Sequence, residues 1–207
     1  CRLFRPSLNA PWTLNYLVSS KDWWTQNNGT QPWNGVSTAQ SADGAHFVDL
    51  GMSIFKDCAS APGWGDCAKW LGSGSVWKRI QNGASEAEGD EEEEYIMNFS
   101  QDYDTTDEQS IFFATSTDMR TWTPVSPDAE KTRSPHVFKY NATGGYTKGR
   151  WDCIAVVPRP EGGYYGYWTA NPDVGYGAGF GWSADGLSWQ TLPTPGPNLT
   201  SEVGGLL

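Results

Sequence analysis

The feature that most constrains the fold is a short pattern, Ser-x-Asp with an aromatic residue four positions after the Asp, which occurs three times. The three copies are Ser41/Asp43/Phe47, Ser116/Asp118/Trp122 and Ser183/Asp185/Trp189. In each copy the Asp side chain is suited to cap a tight turn between two strands, and the aromatic residue is suited to pack between neighbouring sheets. The pattern therefore predicts three strand-turn-strand units in which the Asp residues are structural.

Composition and periodicity predict an all-β protein. Charged residues make up 18% of the chain, which also holds 24 Gly, 12 Trp and 9 Tyr. No window carries the apolar i, i+3, i+4, i+7 pattern of an amphipathic helix. The three strand-turn-strand units recur at the spacing of Asp43, Asp118 and Asp185, which leaves room for four strands in each repeat. Repeats of this kind are typical of β-propeller blades with long insertions. No apolar stretch approaches the roughly 18 residues that would indicate a membrane span.

The charge of the chain indicates what kind of partner it binds. The net charge is −10 and the sequence pI is about 4.5. A protein this acidic is repelled by phosphate backbones, so nucleic acid is not an expected partner. The balance fits a protein with an uncharged or cationic partner.

Sequons and cysteines favour a secreted eukaryotic glycoprotein. Cys58 and Cys67 bracket a turn-rich loop that a disulfide would close, and their spacing fits no zinc pattern. Four Asn-x-Ser/Thr sequons are candidate glycosylation sites, at Asn28, Asn98, Asn141 and Asn198.

Residues 150–157 predict a strand that begins with two charged residues, Arg150 and Asp152. Alternation along a strand points both side chains to one face. A carboxylate that leads into a buried strand is costly unless it is paired or functional. Two interpretations stay open: an Arg–Asp ion pair that closes a strand end, or a catalytic or substrate-gripping Asp held by Arg.

Other chemistries find no support in the sequence. The two histidines, His46 and His136, lie far apart and beside turn or Pro residues, so neither a Ser/His/Asp arrangement nor a zinc site is predicted. The Gly-containing residues 175–181 follow a Tyr-rich strand and open no helix, unlike a phosphate-binding loop. We expect no metal and no cofactor.

The order of the motifs resembles that of the five-bladed β-propeller glycoside hydrolases of families 32, 43, 62 and 68. The motifs are Trp70-x-Gly-Ser73, the Ser-x-Asp repeats, Arg150-Trp151-Asp152 and Ser201-Glu202-Val203-Gly204. Family 32, the β-fructosidases, is the most similar, and family 43 follows. The resemblance implies that residues 1–207 are part of a single β-propeller catalytic domain and cover three to four of its five blades.

The resemblance also implies roles for two acids. Asp152 corresponds to the middle Asp, which grips sugar hydroxyls and stabilises the transition state, and Glu202 corresponds to the general acid. The first-blade Asp, the nucleophile or base, lies in an Asn-Asp-Pro-Asn or Ala-Asp-Pro context in those families, and this sequence has no such context. Asp22, in Lys-Asp-Trp-Trp, does not match it. We therefore expect the remaining blades, and this Asp, outside the chain or on a second chain.

The remaining site residues are candidates for binding an oligo- or polysaccharide. Aromatic rings stack on the C–H faces of sugars, whereas Trp122 and Trp189 are assigned to the core. The substrate-binding candidates are Arg150, Trp151, Trp70, Ser73, Trp23 and Trp24. The resemblance predicts a secreted glycoside hydrolase acting on fructosides or other furanosides. The alternatives are a lectin-like propeller that binds sugar without cleaving it, and a propeller that is only an interaction module.

Overall fold

In the computed structural model the described residues form thirteen β-strands and no α-helix. These residues are 2–19, 33–55, 71–72, 74–80, 93–101, 109–125, 137–139, 144–173 and 178–192. Within these ranges no helix is long and apolar enough to cross a membrane. The prediction of an all-β fold is confirmed.

The first sheet is an antiparallel meander of four strands in the order β1-β2-β3-β4. The strands are β1 (Arg2–Phe4), β2 (Trp12–Val18), β3 (Gly35–Ser41) and β4 (Val48–Phe55). The register pairs Asn15 with Thr38. Consecutive strands are neighbours throughout, as in a single propeller blade.

The second sheet repeats this meander and adds a short strand at its outer edge. Its strands are β5 (Val76–Lys78), β6 (Tyr95–Gln101), β7 (Ser110–Ser116), β8 (Thr123–Pro124) and β9 (Val137–Lys139). Both β8 and β9 pair with β7, at opposite ends of that strand. The outer edge of this sheet is therefore made from two separate segments of chain.

The third sheet has the order β10-β11-β12-β13 and is again antiparallel. Its strands are β10 (Tyr146–Pro158), β11 (Tyr164–Pro172), β12 (Gly179–Ser183) and β13 (Trp189–Thr191). Strand β10 is the first strand of this sheet along the chain and the longest in the described residues. It also contacts β6 and β7 of the second sheet.

The three Ser-x-Asp repeats occupy the same position in each sheet, the turn between its third and fourth strands. In every copy Asp Oδ1 accepts a hydrogen bond from the Ser hydroxyl, at 2.8, 2.9 and 3.0 Å in chain order. The same oxygen accepts hydrogen bonds from the backbone N–H groups two and three residues ahead, at 2.7–2.9 Å. The predicted structural role of these Asp residues is confirmed.

The residue directly after each Asp adopts a left-handed conformation. Gly44 and Gly186 have φ of 79° and 78°, values that glycine adopts at little cost. Met119 takes the equivalent place in the second repeat with φ of 57°, and its side chain is buried in the core. Burial of Met119 offsets the strain of this conformation, so the turn keeps its shape without glycine.

Two apolar cores hold the sheets together, one on each side of the second sheet. The first core joins the first and second sheets, and Trp122 belongs to it. The second core joins the second and third sheets, and Trp189 packs against its edge at 6.3 Å from Trp77 between ring centroids. The assignment of Trp122 to the core is confirmed, and Trp189 is half-buried beside the second core.

A buried hydroxyl also connects the second and third sheets. Tyr164 on β11 donates a hydrogen bond to the carbonyl of Lys78 at 2.9 Å and accepts one from the N–H of Ile80. Burial raises the pKa of Tyr164 above its ordinary value, so the hydroxyl stays protonated. It therefore remains a hydrogen-bond donor at neutral pH.

We predict that Asp185→Ala destabilises the third sheet by about 1–2 kcal/mol, because a buried Ser hydroxyl and two N–H groups lose their shared acceptor. The turn also seats Gly186 against Trp77, whose Nε1 would lie 2.7 Å from a Cβ at that position. Urea unfolding followed by Trp fluorescence measures the change. Asp185→Asn keeps the acceptor oxygen, so its loss of stability should be smaller; an equal loss would contradict the role of Oδ1.

The pKa of Asp185 adds a pH dependence to this prediction. Burial raises this pKa, but the N–H groups of Ser188 and Leu187 outweigh burial and hold it below the ordinary Asp value. A depressed pKa in the folded state contributes stability above the ordinary Asp range and loses it as the pH falls through the lower value. Asp185→Asn should therefore weaken the acid dependence of the unfolding midpoint.

Candidate functional site

Strand β10 has two faces with different contents, and Trp151 belongs to the core face. Its ring is fully buried and packs against Phe138, Tyr146 and Trp168, with centroids 5.1, 5.4 and 5.2 Å away. The prediction that Trp151 stacks on a sugar is wrong, because alternation along β10 turns this residue towards the second sheet.

Arg150 and Asp152 lie on the opposite face, on either side of Trp151. Arg150 Nη2 is 3.5 Å from Asp152 Oδ2, and the side chains are 44% and 10% exposed. The two side chains form an ion pair, which both interpretations of this segment contain, and the pair lies within β10 and not at its end. Because Asp152 is nearly buried whereas Arg150 reaches solvent, the guanidinium provides the counter-charge that such a carboxylate requires.

A β-bulge follows Asp152 directly. The register pairs Asp152 with Thr169 and then Ala155 with Tyr167, so β10 carries one residue more than β11 over this interval. Cys153 adopts a left-handed φ of 52°, which is rare for a side-chain-bearing residue. Its thiol donates a hydrogen bond to Asp152 Oδ1 at 3.0 Å. The bulge therefore fixes the direction of the carboxylate and returns Ile154 to the core.

The bulge is held from the second sheet by the side chain of Asn98 on β6. Asn98 Oδ1 accepts a hydrogen bond from the N–H of Ile154 at 3.2 Å, and Nδ2 donates to the carbonyl of Ile154 at 3.1 Å. Nδ2 also lies 2.7 Å from Ser75 Oγ, and this hydroxyl in turn donates to the carbonyl of Ile154. These contacts connect the two sheets at the residue that follows Cys153.

Asn98 was predicted as a glycosylation site, and the structure contradicts this. The residue is 1% exposed, and its Nδ2 is committed to Ser75 and Ile154. A glycan on Nδ2 would have to leave through the interface of the second and third sheets. The Asn98-Phe99-Ser100 sequon is therefore part of a core strand and not of a surface loop.

Aromatic residues continue the outer face of the third sheet beyond Asp152. The ring centroids of Tyr165 and Tyr167 lie 5.7 and 4.9 Å from that of Phe180. Arg159 places its guanidinium 5.1 Å above Tyr165 and 5.0 Å above Trp182. All of these aromatic side chains are half-buried. One face of the sheet thus joins a polar end, with Asp152 and its pairing partner Thr169, to an aromatic end.

All of the other predicted site residues lie outside the described residues. They are the general-acid candidate Glu202, the binding candidates Trp23, Trp24, Trp70 and Ser73, the Cys58–Cys67 pair, and the sequon residues Asn28, Asn141 and Asn198. Over the described ranges, no group of three or more His, Cys, Asp and Glu side chains is arranged to hold a metal ion.

Sequence reasoning missed two residues that shape the site, Asn98 and Ser75. Ser75 follows Gly74, and a Cβ on Gly74 would lie 1.4 Å from the carbonyl oxygen of Asn98. Glycine is thus required where the chain crosses β6, and it brings the hydroxyl of Ser75 to β10. The signal available in the sequence was the run of small residues from 72 to 75 together with an Asn in an apolar strand.

The comparisons with known proteins support the fold. No protein-family profile matches the chain, and no curated protein matches it. An exo-β-1,3-galactanase from Clostridium thermocellum has a similar structure, with a TM-score of 0.55 and 12% identity over 92% of this chain. That protein is a β-propeller glycoside hydrolase, so this chain has the β-propeller fold. The chain spans 35% of the galactanase chain.

We predict that protein secreted from a glycosylating host carries no glycan on Asn98, because the folded strand has no space for one. Peptide mapping by mass spectrometry measures the occupancy of this site. Ser100→Ala is the matched control, since it removes the sequon and leaves Asn98 in place. The intact mass should then change only by the lost oxygen; the loss of a glycan's mass would contradict the burial of Asn98.

Proposed function

We propose that the protein is a secreted glycoside hydrolase whose substrate is a fructoside or another furanoside. The observation that carries the proposal is a nearly buried carboxylate, Asp152, held by Arg150 on a bulged strand of a β-propeller sheet. Rigid placement of a charge beside a substrate is what stabilisation of a cationic transition state requires. The β-propeller hydrolase with a similar structure supports the reaction class.

In the proposed reaction the carboxyl groups have separate roles. Glycoside cleavage breaks the bond between the anomeric carbon and the leaving oxygen, which takes a proton from a general acid. We assign that proton to Glu202. Asp152 stabilises the positive charge that develops on the ring, and a third carboxylate outside the described residues attacks the anomeric carbon or activates the water. Residues 1–207 belong, in this proposal, to a single catalytic domain.

The polar and aromatic ends of the outer face suit a carbohydrate in different ways. Arg150 and Asp152 provide a donor and an acceptor for sugar hydroxyls, and the aromatic rings offer surfaces for the C–H face of a sugar. The half-buried rings equally favour a second candidate function, a lectin-like propeller that binds an oligosaccharide without cleaving it. The two functions differ only in whether bound sugar is turned over.

A substrate screen separates these functions. The panel is sucrose, inulin, levan, aryl arabinofuranosides and β-1,3-linked galacto-oligosaccharides, the last because of the galactanase. We expect release of reducing sugar from at least one furanoside. Turnover of the galactoside alone would keep the hydrolase and overturn the furanoside assignment. Sugar binding in calorimetry without any turnover would replace the hydrolase by the lectin-like function.

We predict that Asp152→Asn lowers kcat by about 10²-fold or more, because the variant keeps the shape of the side chain and loses its charge. Steady-state kinetics on the best substrate of the screen measures the effect. Glu94→Gln is the matched control, since Arg79 Nη1 donates to Glu94 Oε2 at 2.5 Å in another partly exposed Arg–acid pair, here beside the second sheet. Equal kcat for Asp152→Asn and the control would remove Asp152 from the mechanism.

We also predict that Glu202→Gln abolishes turnover and leaves sugar affinity intact, because the amide cannot supply a proton but fills the same space. Calorimetric titration with the substrate measures affinity, and product release measures turnover. A substrate with a leaving group that needs no protonation, such as a dinitrophenyl glycoside, should recover most of the lost rate. Unchanged turnover of natural substrate would show that another group is the acid.

A further inference from the structure

We propose that Asn98 is a positioning residue for Asp152: its side chain replaces the missing strand partner of the bulge and so fixes the face of β10 on which the carboxylate lies. The functional part of this inference rests on the proposed hydrolase and deepens it. Asn98 does not touch substrate in this proposal. It acts through the backbone of Ile154 and the turn at Cys153.

The position of Asn98 on β6 is unfavourable for a polar side chain. Strand β6 is buried along its whole length, and the neighbours of Asn98 on it, Met97 and Phe99, belong to the first apolar core. An amide taken out of water at such a position is unfavourable unless its donors and acceptor are satisfied. The Asn98 amide is satisfied in this way: Nδ2 donates to Ser75 Oγ and to the carbonyl of Ile154, and Oδ1 accepts from the N–H of Ile154.

The bulge interrupts the ladder between β10 and β11. Between the Asp152–Thr169 and Ala155–Tyr167 pairs, Cys153 and Ile154 on β10 face the single residue Trp168 on β11. Ile154 is fully buried, so its N–H and C=O would be orphaned in the core. Asn98 meets both groups at once, with Oδ1 on the N–H and Nδ2 on the C=O. The side-chain amide thus takes the place of a peptide group in the ladder.

The pairing of Asn98 with Ile154 also determines the face on which Asp152 lies. Without it, the orphaned groups of Ile154 would favour a regular ladder in which β10 slips by one residue. A slip of one residue moves every side chain to the other face of the strand. Arg150 and Asp152 would then both turn towards the core, whereas Trp151 would leave its aromatic surroundings. Asn98 therefore selects the register in which the carboxylate faces outwards.

The kinetic test uses Asn98→Ala in the full chain. We expect kcat to fall by about 10- to 100-fold, the range for loss of groups that orient a catalytic residue, with a change in KM of less than about threefold. Asn15→Ala is the matched control: Asn15 is 3% exposed in the first sheet and accepts a hydrogen bond from Thr38 at 2.8 Å. The control should lose stability but keep kcat.

A second variant covers the case in which Asn98→Ala does not fold. Ser75→Ala removes only the hydroxyl that joins Asn98 to the carbonyl of Ile154. We expect the same direction of change in kcat at a smaller size, about 3- to 10-fold. If both single variants fold, the losses in the double variant should be less than multiplicative, because both side chains act on one carbonyl.

A structural readout keeps the inference separate from the proposed function. The amide of Ile154 should exchange with solvent at least about tenfold faster in Asn98→Ala than in Asn15→Ala. Cys153, next to it, should be alkylated faster as measured by peptide mass spectrometry. Unchanged exchange and alkylation would overturn the pairing, whatever the activity.

The two failures are then distinguishable. If the wild type cleaves none of the screened glycosides, the proposed hydrolase fails, and the exchange and alkylation rates alone decide whether Asn98 holds β10. If the wild type is active and Asn98→Ala keeps its kcat within twofold, the positioning role is overturned even where exchange increases. A fall in kcat with faster exchange supports the inference.

Discussion

The structure depends on a middle sheet that is covered on both faces. Strand β6 is buried along its whole length, with one apolar core on each side. A strand in this position contributes apolar area to two interfaces, and burial of that area is the main favourable term that holds three otherwise separate meanders together. The same burial makes every polar group on β6 dependent on a partner inside the protein. The role of Asn98 follows from that constraint.

The repeated turns reverse the chain in each sheet, and all three use the same set of contacts. Each sheet must reverse its chain between the third and fourth strands, and in each case Asp Oδ1 gathers a Ser hydroxyl and two backbone N–H groups. Because the turn satisfies its own backbone, its sequence can vary at the left-handed position, where Met119 replaces glycine. Burial of the Met119 side chain in the first core offsets the conformational strain of this residue.

Sequence predicted those features that are set within a few residues. The Asp turns are local, and so is the Arg150–Asp152 pair, which needs only the alternation of a strand. The same alternation would have placed Trp151 on the opposite face, so its burial was within reach of the sequence. The burial of Asn98 could not be predicted from the sequence, because a sequon has the same pattern on a surface loop and on a core strand. That difference is set by contacts between residues more than fifty positions apart.

The bulge in β10 explains why the site could be predicted only in part. Asp152 and Trp151 are neighbours in sequence, but one belongs to the outer face and the other to the core. Which residue takes which face depends on register, and register beyond Asp152 depends on an extra residue that no local pattern requires. The extra residue is stable because a buried amide on another sheet replaces the missing ladder partner. The chemistry proposed for the outer face is therefore controlled from the core: a change at Asn98 alters the position of a charge on the far side of β10 without touching it.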